Sequence, residues 1–171
     1  MTKSNVGGFE PVTNVDDAEW QDSGADAPWK SRWKVLTPHM RRGGGKLGVV
    51  LNRLAPQSVG CPFHWHAMED EVFYILSGRG LLRYGNTTQD IGPGDCISCP
   101  AGRQVAHQIG NDGDEDLVYL AMGPYEPHEV CGYPDTGKVM VRHTQTVGRL
   151  ERRDYIEGEP EPPKIFSPQL D

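Results

Sequence analysis

Short apolar segments, separated every eight to twelve residues or so by glycine, proline and polar turn residues, constrain the fold of this chain most strongly. Glycine occurs 21 times and proline 14 times in 171 residues, which disfavours long helices and favours many turns. We find no segment of normal helix length with an apolar stripe at helical spacing. The pattern therefore predicts an all-β barrel or sandwich.

The predicted strands are rich in β-branched and aromatic residues or alternate apolar with polar positions. They cover residues 46–54, 71–76, 80–84, 96–99, 104–109, 116–122 and 139–143, and the polar residues 110–114 are predicted to form a turn. Segment 71–76 is apolar on both faces apart from Glu71, so it needs cover on both sides. We expect the barrel interior to cover one face, and either the N-terminal arm or the second subunit of a homodimer to cover the other.

Three segments differ in composition. Residues 1–30 are polar and acidic, residues 31–145 contain the predicted strands, and residues 146–171 are rich in proline and glutamate. We interpret them as an N-terminal arm, one barrel domain and an extended C-terminal tail that forms neither a helix nor a central strand. Trp20 and Trp29 suggest that the arm docks on the barrel, while a flexible terminus stays open as the alternative.

Charge and hydropathy exclude several classes of partner. Lys and Arg number 17 against 24 Asp and Glu, a formal net charge of −7, and a nucleic-acid partner would need the opposite balance. No apolar run approaches the roughly 20 residues of a membrane helix, and the first residues do not form a secretory leader. We therefore expect a cytoplasmic protein with no membrane partner and with reduced cysteines.

A histidine pair next to a carboxylate predicts a metal site. His64 and His66 are two residues apart in an extended segment, so both imidazoles point to one face and could bind one ion. A turn through residues 67–70 would let Glu71 begin the next strand and face back towards them. Glu69 is the rival carboxylate, and we favour Glu71 because Glu69 lies inside the turn.

His107 is the candidate fourth ligand. It lies in an apolar segment, where a lone histidine is more often a buried core residue with one hydrogen bond. Beside a paired histidine motif and a carboxylate, a metal role becomes the better interpretation.

Both segments resemble the two sequence motifs of the cupin superfamily. The first motif is matched by the histidine pair, the glutamate and a glycine, at His64, His66, Glu71 and Gly78. The second is matched at Gly94, Pro100, Gly102, His107 and Asn111. Two departures fall in expected loops: Gly60 lies closer to the first histidine than in the family motif, and His107 lies farther from Gly102. Two motifs in the right order form a far more specific signal than either alone.

The resemblance implies a double-stranded β-helix, or jelly-roll barrel, that binds one divalent metal ion inside through His64, His66, Glu71 and His107. The ion would be Zn, Fe, Mn, Ni, Co or Cu, and its identity is not specified by the ligands. Three imidazoles and one carboxylate would leave one or two coordination positions open.

Two function classes follow from the resemblance. The first is a metal-dependent enzyme acting on a small polar substrate, with dioxygenase, decarboxylase, isomerase and lyase chemistry all represented among cupins. The alternative is a non-catalytic module that binds or senses a small molecule. The residues indicate no general acid or base, so the catalytic residues are unknown.

Other candidates have ordinary interpretations beside the functional one. Arg53 could point into the barrel towards an anionic substrate, or lie in solvent at a strand end. Cys96 and Cys99 form a CxxC pair, but in a strand they face opposite sides, so we interpret them as packing residues.

Overall fold

The computed structural model describes residues 10–23, 25–40 and 44–166. Within these residues every strand pairing is antiparallel and the only helix is one short 3-10 turn, so the predicted all-β class is confirmed. The strands are β1 (Gln21–Asp22), β2 (Ser31–Val35), β3 (Leu47–Leu54), β4 (Ser58–Val59), β5 (Trp65–His66), β6 (Glu71–Ser77), β7 (Gly80–Tyr84), β8 (Thr87–Ile91), β9 (Cys96–Cys99), β10 (His107–Asn111), β11 (Leu117–Pro124), β12 (Val130–Tyr133), β13 (Lys138–Val141) and β14 (Thr146–Gly148). No helix in the described part is long and apolar enough to span a membrane.

Three sheets form the domain. The largest has the order β1-β2-β3-β11-β6-β9, and the two four-stranded sheets have the orders β4-β10-β7-β8 and β14-β13-β12-β5. The core lies between the inner faces of the first two sheets, because alternate residues of their strands point inwards. Its buried members are Leu54, Phe73, Ile75, Leu82, Ile91, Ile97, Cys99, Ile109, Leu117 and Tyr119.

Several predicted boundaries were wrong for local reasons. Strand β10 begins at His107 rather than residue 104, and it includes Gly110 and Asn111, which the sequence placed in a turn. Both residues pair with β4, and the Asn111 amide donates to the backbone carbonyls of Leu54 and Glu115. Long-range pairing thus extends the strand through residues that usually favour turns.

Short or polar strands were missed. Strands β1, β2, β4, β5, β8, β12 and β14 had no counterpart in the sequence prediction. Most of β8 is exposed and polar, and it exists because it pairs along its whole length with β7. The tail also contains one 3-10 turn, Lys164–Phe166, so the expectation of no helix there was wrong for these three residues.

The described part of the N-terminal arm docks on the large sheet. Strand β1 pairs with β2. The Lys34 ammonium nitrogen and the Arg32 guanidinium carbon lie 5.0 and 5.2 Å from the centroid of the Trp20 ring, which is within the range of cation–π interactions. The described residues of the arm do not cover the outer face of β6, where Tyr74 is 39% and Leu76 43% exposed. The homodimer and the three segment boundaries stay predictions.

Gly78, the glycine that closes the first motif, lies where the chain passes closest to a neighbouring strand. Its φ is +79°, and a β-carbon there would overlap the Asp116 carbonyl oxygen and lie 2.9 Å from the Leu117 Cα. Gly94 has a comparable φ of +94° but no atom within 4 Å of such a β-carbon. The two glycines therefore share the backbone requirement and differ in packing.

We expect Gly78→Ala to lower the free energy of unfolding by about 3 kcal/mol, because it adds backbone overlap to the cost of a left-handed conformation. Gly94→Ala is the matched control and should cost only about 1 kcal/mol. Urea denaturation of both variants checks this. If both variants lose the same free energy of unfolding, the close approach of the backbone at Gly78 does not contribute to the requirement for glycine there.

Candidate metal centre

The backbone places His64 and His107 directly opposite each other. They form an isolated antiparallel bridge, in which each amide donates to the other's carbonyl at 3.1 and 2.8 Å. His66 lies two residues further along, in β5, and pairs with Cys131 of β12. Glu71 is the first residue of β6, after the turn, and shares the inward face of that strand with Phe73. Two strand pairings and one turn thus bring the four predicted ligands to one place.

One carboxylate oxygen is the meeting point of the four side chains. Glu71 Oε2 lies 2.8 Å from His107 Nε2, 3.3 Å from His66 Nε2 and 3.7 Å from His64 Nε2. The His64 ring centroid lies 4.6 Å from that of His107 and 4.9 Å from that of His66. The structure therefore brings together all four residues that the sequence singled out, although their role as metal ligands stays a prediction.

The donor atoms fit a divalent ion. His64 Nδ1 donates to the Pro62 carbonyl at 2.8 Å, which directs its Nε2 towards Glu71. His66 Nε2 is buried and has no hydrogen-bond partner, which is costly unless an ion or ligand satisfies it. Nitrogen and carboxylate donors in this number suit the first-row divalent metals. Buried His107 Nδ1 also lacks a partner, and a metal at Nε2 would leave it without one.

Electrostatic coupling keeps the site polar despite its burial. Burial would raise the pKa of Glu71, but the hydrogen bond to His107 and the nearby His64 and His66 imidazoles hold it well below its usual value. Burial would lower the pKa of His64, but hydrogen bonds to Cys61 and Glu71 outweigh it and raise the pKa to about 10. The protein without metal therefore holds an ionised Glu71 beside a protonated His64.

Glu69, the rival carboxylate, lies behind His66 instead of among the Nε2 atoms. It is 5% exposed, and both its oxygens accept from the Arg142 guanidinium, with one of these hydrogen bonds at 2.7 Å. The Glu126 amide donates to it at 2.6 Å. Its Oε2 lies 3.6 Å from His66 Nδ1, the ring atom that faces away from Glu71. The two candidate carboxylates thus lie on opposite sides of the His66 ring, Glu71 near Nε2 and Glu69 near Nδ1.

Glu129 is a functional candidate that sequence reasoning missed. It is fully buried, at 0% exposure, and its carboxylate accepts from the amides of Ala67, Met68 and Val130 at 2.7, 3.1 and 2.9 Å. These bonds hold the turn that follows His66. Because Glu129 comes more than sixty positions after His66, only the folded chain reveals the contact.

Two free thiols lie close to the Nδ1 atoms of His64 and His66, which are the ring nitrogens that face away from Glu71. Cys131 Sγ is 3.3 Å from His66 Nδ1, and Cys61 Sγ is 3.5 Å from His64 Nδ1. Burial raises the pKa of Cys131 to about 12, so it is a neutral thiol at physiological pH. Glu129, Cys131 and His66 Nδ1 lie within 4.8 Å of one another, but three backbone amides already occupy the Glu129 carboxylate.

A cavity of about 610 Å³ opens beside Glu71. It runs over the inner face of β11, β3 and β2, and its walls include Trp33, Val50, Met122 and Lys46. Arg53 lies outside it on the opposite face of β3 and forms an exposed ion pair with Asp116 at 2.8 Å, which favours its interpretation as a solvent residue. Cys96 is exposed and Cys99 buried on β9, so the two lie on opposite faces as expected, but the interpretation as packing residues is right only for Cys99.

Comparison with known proteins identifies the family. The cupin domain family matches residues 50–123. Auxin-binding protein 1 of Arabidopsis thaliana is 30% identical over 138 residues, which cover 76% of this chain and 67% of that protein. The chain belongs to the cupin superfamily. The expected cupin barrel is confirmed by the structure of a sugar phosphate isomerase of the cupin superfamily from Silicibacter pomeroyi, with a TM-score of 0.70 and 25% identity, which covers 81% of this chain and 92% of that one.

The match to a second relative covers only part of that protein. An uncharacterized protein of Methanocaldococcus jannaschii is 34% identical over 71 residues, which cover 42% of this cupin and 48% of the relative, so the chain spans about half of that protein.

The two departures from the cupin motifs lie in loops, as expected. Gly102 lies in the turn after β9, where its amide donates to the His66 carbonyl at 3.0 Å, and Gly60 follows β4.

The buried pair of Glu69 and Arg142 gives a stability prediction. We expect Arg142→Met to lower the free energy of unfolding by about 3 kcal/mol, because it leaves the buried Glu69 carboxylate without its charged partner. Arg83 forms a comparable two-pronged bridge to Asp135, at 2.7 and 3.0 Å, but on the surface.

Arg83→Met is the matched control and should lose only a small part of that stability, because water solvates the Asp135 carboxylate. Denaturation in urea, with the metal removed from both variants, checks the difference. Similar losses in the two variants would contradict a structural role for the buried pair.

Proposed function

We propose that this cupin binds one divalent metal ion through His64, His66, Glu71 and His107 and is an enzyme acting on a small polar substrate. The observation that carries the proposal is the convergence of three imidazole Nε2 atoms on Glu71 Oε2, at 2.8 to 3.7 Å. The buried, unpartnered Nε2 of His66 supports it, since an ion would satisfy that atom. The metal would be one of Zn, Fe, Mn, Ni, Co and Cu.

A bound divalent ion would polarise a substrate oxygen as a Lewis acid. The protein residues around it supply position and shelter. Glu69 and Glu129 hold His66 and the following turn, while Phe73 packs 5.6 Å from the His107 ring and keeps water from that side. Four protein donors would leave one or two coordination positions for water or substrate.

The cavity favours an oxygen-rich molecule the size of a sugar or a single ring. Its volume of about 610 Å³ is typical of small-ligand sites. The neighbour from Silicibacter pomeroyi is named a sugar phosphate isomerase, which favours isomerase chemistry over the dioxygenase, decarboxylase and lyase alternatives. The Lewis-acid part of such a reaction needs no redox change at the metal.

The second candidate function is binding without turnover. The relative from Arabidopsis thaliana is named for binding auxin, and apolar side chains such as Trp33, Met40 and Val50 make up much of the cavity wall. Such a site would bind a small organic molecule through its apolar surface and the metal.

Assembly and location complete the proposal. We propose a cytoplasmic homodimer without nucleic-acid or membrane partners, in which the exposed Tyr74 and Leu76 of β6 lie in the subunit interface. Light scattering at concentrations well above typical dimer dissociation constants tests this, and a monomeric mass would contradict it.

The two candidate functions separate in one experiment. The metal content of the purified protein is measured first. A panel of phosphorylated sugars, small organic acids and phenols is then tested for conversion, with dissolved oxygen recorded in parallel. Conversion without oxygen uptake supports an isomerase or lyase, and uptake that depends on substrate supports an oxygenase. Tight binding with no conversion across the panel favours the binding module.

We expect His66→Ala to lower bound metal by at least about tenfold, since it removes one of four donors. The control is His128→Ala, because His128 is exposed and lies outside the cluster around Glu71. Metal content by elemental analysis, with thermal unfolding before and after chelation, checks both variants. Unchanged metal in His66→Ala would show that the ligand assignment is wrong.

Metal binding should weaken as pH falls. The pKa of His64 is raised to about 10 without metal, so binding at pH 7 must displace its proton, and lower pH strengthens that competition. Glu71, whose pKa is lowered, keeps its charge throughout this range. Calorimetric zinc titrations at pH 7, in buffers of different ionisation enthalpy, should count about one released proton. Affinity that is constant between pH 5 and 8 would contradict this.

A further inference from the structure

Two facing glycines form a bare floor in the cavity beside Glu71. Gly48 of β3 and Gly123 of β11 are directly paired, and the register places Glu71 of β6 next to Gly123. A β-carbon at Gly123 would lie 2.8 Å from the Asp70 carbonyl oxygen, so packing requires glycine there. At Gly48 it would meet only the Gly123 carbonyl oxygen, at an ordinary 3.5 Å. Packing therefore does not explain Gly48, which leaves open space above the floor.

Lys46 lies at the far side of this floor. It precedes Gly48 by two residues, so strand alternation places it on the same face, and its carbonyl accepts from the Tyr125 amide at 3.1 Å. It lines the same cavity as Glu71. Within the described residues, no carboxylate forms an ion pair with the Lys46 ammonium group, whereas Glu69 is held by Arg142. Lys46 therefore brings uncompensated positive charge to the cavity.

The separation between Lys46 and Glu71 sets the size of a molecule that could contact both ends. They are two strands apart across the sheet and two residues apart along it, which places their Cα atoms about 12 Å apart. Both residues line the cavity that spans this interval. The space between the two residues is large enough for one sugar or one aromatic ring lying over Gly48.

We propose that Lys46 binds the anionic group of a two-ended ligand, whose middle lies on the Gly48–Gly123 floor and whose other end presents an oxygen to Glu71 and the three histidines around it. The ligand class is a phosphate or carboxylate separated from a hydroxyl, carbonyl or carboxylate oxygen by one thin ring or short chain. This rests on the proposed metal site, because the ion would bind the second end.

The test uses the full chain loaded with zinc and two matched pairs of probes. Ribose 5-phosphate is compared with ribose, and terephthalate with benzoate, so each pair differs by one anionic group. Binding is measured by calorimetry for the parent and for Lys46→Met, which keeps most of the side-chain length and removes the charge. Lys30→Met is the control, because Lys30 is exposed and does not line the cavity.

We expect at least one charged probe to bind the parent at least about tenfold more tightly than its matched partner. Lys46→Met should abolish that difference and Lys30→Met should keep it. Gly48→Val should weaken the charged probe at least about tenfold by filling the floor, while β-branched residues suit a strand. Whichever pair responds identifies phosphate or carboxylate as the group at Lys46.

Metal content separates this proposal from the one on which it rests. All variants should retain parental zinc and fold to a parental melting temperature, since neither residue is a predicted ligand. If Lys46→Met binds the charged probe as tightly as the parent, or if neither charged probe binds the parent, the Lys46 subsite is wrong while the metal site stands. If the parent retains no zinc, the metal site itself fails and the two-ended ligand fails with it.

Discussion

A single buried carboxylate oxygen, surrounded by three imidazoles, is the constraint on which the rest of this structure depends. Placing Glu71 and three histidines together away from water is unfavourable unless each donor and acceptor is matched. Backbone pairing brings these side chains together: a bridge fixes His64 against His107, β5 carries His66, and β6 begins at Glu71. The buried Nε2 of His66 is still without a partner, which is the demand that a bound ion would meet. The jelly-roll barrel is therefore a means of bringing distant parts of the chain to one point.

A second set of charged residues surrounds Glu71 and the three histidines and holds His66 and its turn in place. Arg142 pairs with Glu69, while Glu129 accepts three backbone amides around the turn after His66. Neither carboxylate competes for the Nε2 face of the histidines, because each is already occupied by other donors. The Nε2 atoms of the three histidines therefore stay available for the proposed ion, while Glu69 and Glu129 restrict how far the His66 ring can turn.

The sequence predicted those parts of the molecule that depend on local pattern. Alternation gave most of β3, β6, β7 and β11, and residue spacing gave the four side chains that meet around Glu71. It could not give Glu129, Arg142 or Lys46, because their importance comes from partners many residues away. Strands such as β8 were missed for the same reason, since polar residues form a strand only when a neighbour supplies the pairing. The turn prediction for Asn111 failed because tertiary hydrogen bonds outweighed its local preference.

The order of these residues along the chain has a consequence for biosynthesis. All four predicted ligands have been translated by His107, yet Glu129 and Arg142 emerge later from the ribosome. A nascent polypeptide that already contains every ligand thus lacks the groups that secure the turn behind His66. If the cluster binds a metal ion as proposed, its geometry would become fixed only after Glu129 and Arg142 have been synthesised, and a chain ending before Glu129 would contain the predicted ligands without either residue.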